Sequence, residues 1–354
     1  MLLYGTQNQR RVVETIDDAR TILKEARLTE HQLYILEGVR RGDIDMKVAH
    51  LRETLGTGIF DAVTLDAAHN ALLSGYGAVP DDWKLIAKQV SANTFKDRNA
   101  SALSGFANLP EVPENAEYQI QDQLDEKVTY PVKKYGGLAS ISLEAQTSDE
   151  IGAFNTQVEK LAQAYKRTLN EFVLGTLFDN NPSTDYDSTA LFHADHNNLN
   201  AGATVSLAGL QTGIAAMLEQ TGRKGEQIYL QPWCLLVNPS KLVDAMRLVN
   251  STSLISGESA ASGENNPINA LLPGGVKASP HIDAVAADSY IIADPAITPT
   301  VEVAFLNGKS EPDILREPET SGSGWSRDAI NWKVRGVFGG DVVDHRGAQR
   351  NDAA

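Results

Sequence analysis

Apolar residues recur every three or four positions along the N-terminal part of the chain, and then the spacing changes. From Asn8 to Leu28, Val12, Val13, Ile16, Ala19, Ile22, Leu23 and Ala26 fall between charged positions, which predicts an amphipathic helix. A second helical stretch is expected from Thr29 to Arg41. Thr64 to Leu73 and Pro80 to Val90 read as shorter helices, the latter opened by Pro80, Asp81 and Asp82, which suit a helix start. Between Ala107 and Glu144 the period drops to two. Val128, Tyr130 and Val132 alternate with polar residues, as do Ala139, Ile141 and Leu143, and Gly136-Gly137 between the two runs predicts a turn joining two strands. Pro131 confines the first strand to an edge or an isolated ribbon, because proline cannot donate to a ladder. Such an arm does not fold alone, so it is expected to lie on its own core or on another subunit.

The strongest helix signal follows. Thr147 and Glu150 form a capping box ahead of Ile151, Phe154, Val158, Leu161, Tyr165, Leu169 and Phe172, one face of a helix of about 25 residues and roughly 40 Å. It ends before the turn-rich polar loop FDNNPSTDYDS. Leu207 to Thr221 reads as a helix and Gln227 to Val237 as a strand. Asn238 then caps a helix with Pro239 at its first position and Leu242, Ala245, Met246 and Val249 on its apolar face. Asn250 to Gly275, rich in Ser, Gly and Asn, reads as a long loop. Strands are expected at Ser289 to Ala293, Val301 to Leu306, Ile314 to Glu317 and Asn331 to Phe338, and the polar tail DHRGAQRNDAA is expected on the surface. The pattern as a whole is that of an α+β fold.

Composition narrows the function. Of 354 residues 42% are apolar, enough for a sizeable core and against wholesale disorder. Cys234 is the only cysteine, which excludes an intrachain disulfide and a Cys-rich zinc site and fits a reducing compartment. It lies in an apolar run beside Trp233 and Leu235, so a buried, inert thiol is expected. The start, MLLYGTQNQRR, lacks the apolar core of a signal peptide. No apolar run approaches the roughly 18 to 20 residues that cross a bilayer, so a soluble protein without membrane contact is expected. The net charge of −15 argues against a sequence reader of nucleic acid, which would cluster Lys and Arg on phosphates. That acidity is uneven. The first hundred residues carry 13 Lys and Arg against 14 Asp and Glu, and the remainder 18 against 32.

Chemistry is sparse. His193, Asp195 and His196 place two imidazoles and a carboxylate within four residues, part of the pattern of binuclear metallohydrolases, but Leu191 stands where the first histidine would be. The plainer reading is a loop whose side chains hydrogen-bond backbone. Gly56-Thr57-Gly58 lacks a third glycine for a dinucleotide loop, and Gly322-Ser323-Gly324 is too short for a nucleophile elbow. Asp81 and Asp82 are helix-start charges rather than an acid/base pair. No catalytic, cofactor-binding or metal-ligating residue is therefore assigned. Weight moves to assembly and to an arm carrying Val128, Tyr130, Pro131, Lys133, Lys134 and Tyr135.

A family resemblance rests on motifs in a fixed order. These are Ala68-His69-Asn70-Ala71-Leu72-Leu73, Pro80-Asp81-Asp82-Trp83 and Phe95-Lys96, then Tyr130-Pro131-Val132-Lys133-Lys134-Tyr135-Gly136-Gly137 leading into Ile141-Ser142-Leu143-Glu144. Asp149-Glu150, Leu191-Phe192-His193, His196-Asn197-Asn198-Leu199, Arg335 to Gly339 and Asp344-His345-Arg346-Gly347 follow. Over about residues 65 to 350 the chain resembles Mu-type tailed-phage major head proteins and the capsid parts of phage protease-capsid fusions.

The resemblance implies the Hong Kong 97-type fold. It divides the chain into a helical N-terminal arm region at 1–105, an extended β loop at 106–147, a peripheral domain with a spine helix at 148–204, an axial domain at 205–300, and return strands with a C-terminal tail at 301–354. It also implies a shell subunit without an active site, self-assembling into pentamers and hexamers of an icosahedral head. The head encloses double-stranded DNA without sequence-specific binding, belongs to the virion, and is assembled in the host cytoplasm. Portal, scaffold or maturation protease, and decoration proteins are the implied partners. In relatives the N-terminal segment remains as an arm or is removed as a scaffold. Some relatives crosslink subunits through a loop lysine, but Lys133 and Lys134 have no recognisable partner motif here. Two rival readings stay open: an encapsulin-like compartment shell with protein cargo, and a metallohydrolase using His193, Asp195 and His196.

Overall fold

The computed structural model describes residues 57–103, 125–142, 151–202, 205–251, 266–282, 289–317 and 329–352, with isolated positions between 106 and 120 and at 326. The helices expected at 8–28 and 29–41, the capping box at Thr147 and Glu150, and most of the loop expected at 250–275 lie outside the described residues.

In chain order, helix α1 (Thr57–Ala78) is followed by a 3-10 turn at Asp82–Leu85 and by strands β1 (Ala87–Ala92), β2 (Arg98–Leu103), β3 (Asp125–Tyr130) and β4 (Lys133–Ser142). Helix α2 (Ile151–Asn170) runs into a π-helical stretch, Glu171–Asp179. Next come β5 (Leu199–Ala201), α3 (Leu207–Leu218), β6 (Pro232–Val237), α4 (Leu242–Asn250), α5 (Ile268–Leu271) and β7 (Gly275–Ala278). Strands β8 (Ser289–Ala293), β9 (Val301–Leu306), β10 (Asp313–Arg316), β11 (Ala329–Val342) and β12 (Ala348–Asp352) follow. The fold is α+β. Among the described residues, no helix is long and apolar enough to cross a membrane.

The chain forms two compact units. The first draws its described residues from 57–80, 134–168 and 309–337, and the second from 81–133, 169–308 and 338–352. In the first unit, Leu65, Ala68 and Leu72 of α1 and Val158 and Ala162 of α2 are fully buried. Lys166 is buried among them. Its Nζ donates to the Tyr76 carbonyl at 3.0 Å and lies 4.3 Å from the centre of the Tyr76 ring, so the cation is compensated by a backbone oxygen and a π face. Strand β10 pairs antiparallel with β11, from Asp313 opposite Arg335 to Arg316 opposite Trp332.

In the second unit a five-stranded sheet has the order β5-β12-β8-β6-β7. Every residue of β8 is buried, and in β6 all but Trp233, as expected of strands covered on both faces. Leu235, Val237, Ile291 and Ala293 share a core with Leu210, Ile214 and Met217 of α3 and Ala245 and Val249 of α4. Tyr290, the neighbour of Ile291 in a period-two strand, instead packs on Phe178 and Phe192 with ring centres 4.8 and 5.4 Å away. Asn238 caps as expected, its side chain accepting from Ser240 N at 2.9 Å. Met246 of the following helix is exposed rather than buried. Cys234 is fully buried, and burial pushes its thiol up to about 12.

Three further expectations are overturned. The helix expected at Pro80 to Val90 is a 3-10 turn followed by β1, which pairs parallel with β9 from Ala87 opposite Val301 to Ala92 opposite Leu306. Trp83 and Ile86 are fully buried there, and pairing with a buried strand outweighs local helix preference. The C-terminal tail is not a surface segment. Strand β12 runs parallel to β5 and antiparallel to β8, with Ala348, Gln349 and Asn351 buried. Finally, Gly136-Gly137 makes no turn but lies inside β4, which pairs with β11. A side chain at Gly136 would place its Cβ 2.4 Å from the Val334 carbonyl oxygen, so glycine here serves close approach of two backbones.

At Gly137 the nearest atom to an added Cβ is the end of the Leu161 side chain at 3.4 Å, an ordinary contact. Gly136→Ala is therefore expected to lower stability by about 1–3 kcal/mol in chemical denaturation, with Gly137→Ala close to the parent. Equal effects at the two positions would contradict the close approach.

Candidate functional site

Strands β2 and β3 form a two-stranded antiparallel ribbon from Arg98 opposite Tyr130 to Leu103 opposite Asp125. The alternation expected at Val128, Tyr130 and Val132 is present, and it turns inward. All three are buried, as is Ala100 opposite Val128. Pro131, between the ribbon and β4, and Lys133, the first residue of β4, are exposed. Lys134, exposed, and Tyr135, half-buried with its phenol pushed up by burial, belong to β4 in the first unit. The expected arm residues are thus divided between a ribbon of the second unit and a sheet strand of the first.

Between the two strands the chain carries large apolar side chains in the open. Phe106 is 54% exposed, Leu109 81%, Tyr118 87% and Ile120 94%. At its base the ribbon is held by polar contacts. Arg98 Nε and the Tyr130 hydroxyl both donate to Glu302 Oε1, at 2.9 and 2.6 Å. Arg98 Nη1 also donates to the Ser91 carbonyl at 2.9 Å. Thr129 donates its backbone N–H to Asp185 Oδ2 at 3.4 Å and its hydroxyl to Asn99 Oδ1 at 2.9 Å. Burial, then the hydrogen bond to Glu302, raises the Tyr130 phenol well above its usual range. Burial alone would lower Arg98, but the Glu302 carboxylate beside it outweighs that and raises it. Arg98 and Glu302 went unrecognised in the sequence, where 204 positions separate them.

The His193-Asp195-His196 segment forms a second polar cluster in the same unit. His196 is buried, and both of its nitrogens are occupied by protein. Nδ1 donates to the Leu191 carbonyl at 3.0 Å, and Nε2 lies 2.8 Å from Asp187 Oδ2. Its ring stacks on His345, with centres 3.9 Å apart and planes inclined by 13°. The Tyr186 hydroxyl meets His345 Nδ1 at 2.7 Å, and Asn198 Nδ2 donates to the carbonyls of Leu191 and His345. His193 turns away to cap its own 3-10 turn, accepting from Asp195 N at 3.1 Å. Among the described residues, no group of three His, Cys, Asp or Glu is arranged to hold a metal. The histidines instead tie the 184–198 loop to the segment leading into β12, which corrects the metallohydrolase reading.

The cluster lines a cleft of about 260 Å³ with Gln220 and Arg223. Its electrostatics are set by burial and by neighbouring charge. Burial, the facing His196, and Arg346 and Arg223 push His345 down to about 3, against the pull of Asp187. Burial alone would raise Asp187, but hydrogen bonds from Thr184, His196 and Thr189 leave it below its ordinary value. Burial raises Asp344, opposed by its pairing with Arg346.

Residues 125–351 match the family of phage capsid proteins. No curated protein sequence matches the chain. Among solved structures, the chain is similar to the capsid of cyanophage Pam1, with a TM-score of 0.51 and 11% identity over 75% of this chain and 88% of that one. It is also similar to the capsid of a native GTA particle, with a TM-score of 0.51 and 14% identity over 78% and 91%. At such identities the likeness is one of fold.

The cluster predicts acid sensitivity of definite sign. Between the ordinary histidine value of 6.5 and about 3, the unfolded chain binds a proton at position 345 that the folded chain refuses. Stability from this site is therefore present above 6.5 and is lost as pH falls through that window. His345→Phe keeps a flat ring over His196 and isolates the contribution, since Asp344, raised by burial, acts with opposite sign. Denaturation between pH 7 and 5 should show a wild-type slope steeper than the variant's by up to about 1.4 kcal/mol per pH unit. Identical slopes would contradict a buried neutral imidazole.

Proposed function

The chain belongs to the phage capsid protein family, and from this we propose that it is a major capsid protein of the Hong Kong 97-type fold, a structural rather than catalytic subunit whose copies form the pentamers and hexamers of an icosahedral tailed-phage head around double-stranded DNA. The observation that carries the proposal is the ribbon. It is a two-stranded element with large apolar side chains left uncovered between its strands, in a chain whose family builds closed shells.

In this reading the β2–β3 ribbon is the extended loop, laid over a neighbouring copy through Phe106, Leu109, Tyr118 and Ile120. A subunit ring closes by rotation of unlike patches, and an arm of this kind adds interface area that a compact subunit lacks. Helix α2 with the Glu171–Asp179 stretch is the spine of the peripheral domain, and the axial domain at 205–300 holds α3, β6, α4, α5, β7 and β8, whose sheet also takes in β5 and β12 from outside those bounds. Residues up to about 105 act as an N-terminal arm region, with β1 and the start of the ribbon in its last part. Lys133 and Lys134 flank the ribbon as exposed cations that discourage unwanted strand pairing.

The acidic excess fits a container. Nearly all of the net charge lies after the first hundred residues, and an acidic lining repels phosphates, so that DNA is enclosed without being gripped. Assembly in the host cytoplasm, with a portal and a scaffold or maturation protease and with decoration proteins outside, belongs to the same reading. The family match supports a virion over a compartment for protein cargo.

Negative-stain microscopy of the expressed, purified chain tests this reading. Closed shells, or rings of five and six subunits, are expected, and a solution of monomers at concentrations where capsid proteins assemble would refute it. Nuclease-protected DNA in particles from infected cells separates a phage head from an enzyme-filled shell.

A further inference from the structure

We propose that Glu302 is the positioning residue that aims the β2–β3 ribbon, by accepting hydrogen bonds from Arg98 and Tyr130 on a single oxygen. The inference rests on the reading of the ribbon as the assembly arm. Arg98 and Tyr130 are direct cross-strand partners at the ribbon's base, one on each strand, and both reach Glu302 Oε1. Two donors from opposite strands held to one atom fix the tilt and the twist of the ribbon together, since rocking in either direction lengthens one of the two bonds.

The anchor itself is rigid. Glu302 sits in β9, where Val301, Val303, Ala304 and Phe305 are fully buried, and β9 is paired on one side with β1 and on the other with Phe338–Val342 of β11. Arg98 uses the rest of its fork on the Ser91 carbonyl near the end of β1, so it spans the turn through which the ribbon leaves the sheet. On the other strand, the chain leaving Tyr130 crosses β11 where a side chain at Gly339 would come within 2.2 Å of the Pro131 carbonyl oxygen. Both roots of the ribbon are thus constrained at backbone level, and the Glu302 carboxylate joins them.

Mere satisfaction of buried polar groups would produce the same bonds, but it predicts a different outcome in experiment. If Glu302 only satisfies its partners, its loss lowers thermal stability and leaves the assembled product unchanged below the melting point. If it aims the ribbon, its loss impairs assembly of a subunit that is still folded.

The test compares Glu302→Leu, Glu302→Gln and Tyr130→Phe with the parent chain. Folding is checked by near-ultraviolet circular dichroism and assembly by sedimentation and particle diameter. Glu302→Leu and Tyr130→Phe are expected to raise the concentration needed for assembly by about tenfold or to widen the spread of diameters, the scale of a lost charge-assisted hydrogen bond. Glu302→Gln, which keeps an acceptor oxygen, should restore most of the parent behaviour. Particles of parent diameter forming within about twofold of the parent concentration in either Glu302→Leu or Tyr130→Phe would overturn the proposal. If Glu302→Leu does not fold, Tyr130→Phe decides, because the ring stays buried and only the hydroxyl is lost.

A fourth variant, with Leu109, Tyr118 and Ile120 changed to Ser, separates the two levels of the argument. Normal assembly of this variant would sink the arm reading and the positioning role with it. Defective assembly there beside normal assembly of Tyr130→Phe would sink the positioning role alone.

Discussion

A two-stranded β ribbon has no interior. Side chains on one face have only solvent or some other surface to meet, and a lone ribbon of this kind is marginal in water. In this chain the constraint is met at the base and left open further out. Val128, Tyr130 and Ala100 turn into the ribbon's own unit, and Arg98 and Tyr130 hold it to β9. Phe106, Leu109, Tyr118 and Ile120 stand uncovered. Other features of the second unit answer to the same demand. Residue 339 must be glycine to let the chain pass from the ribbon across β11, and β1 must be a strand rather than a helix so that the turn into the ribbon starts from a fixed sheet.

The parts of the fold visible in the sequence are those in which burial and pattern agree. SYIIA and VEVAFL are short, nearly continuous apolar runs, and β8 and β9 have the expected bounds because both are covered. The Asn238-Pro239 helix start needs only local chemistry and is in place. Strand β12 breaks this agreement. Its residues are Ala348, Gln349, Arg350, Asn351 and Asp352, a composition that reads as a surface tail, yet Asn351 is fully buried. Its amide donates to Ser289 Oγ at 3.2 Å and its carbonyl oxygen accepts from Asn200 Nδ2 at 3.1 Å, so the polar groups are paired inside rather than left to water. No hydrophobic period reports a strand of that kind. Gly136-Gly137 misled for a related reason, since a glycine pair signals a turn as readily as a close approach of strands, and only the neighbouring Val334 carbonyl decides between them.

The candidate site was legible to a similar, partial extent. Alternation at 128, 130 and 132 marked a strand and its buried side, but its partner strand and the carboxylate that holds it lie far off in sequence. The His193-Asp195-His196 segment shows the converse. Three ligand-type side chains within four residues specify a metal only if they converge, and convergence is a property of the backbone between them. Here His193 caps its own turn while His196 points to Asp187 and stacks on His345. Asp187 and Tyr186 were present in the sequence as part of a polar turn-rich run, where nothing distinguishes a carboxylate that faces a histidine from one that faces solvent.

Both polar clusters join segments distant in sequence, and both do it at positions where an apolar contact would have been less demanding. Hydrophobic burial is non-directional, so a greasy contact at Glu302 would hold the ribbon near the sheet without choosing its angle. A hydrogen bond weakens steeply as its angle departs from linear, and a charge left unpaired in a half-buried site is costly. The pair of bonds at Glu302 therefore contributes little net stability beyond that of its neighbours but penalises every ribbon orientation except one. That is the property a shell subunit requires. A small angular error in an arm repeats in every copy, and contacts that must close into a ring tolerate an error only up to the point where the last subunit no longer meets the first.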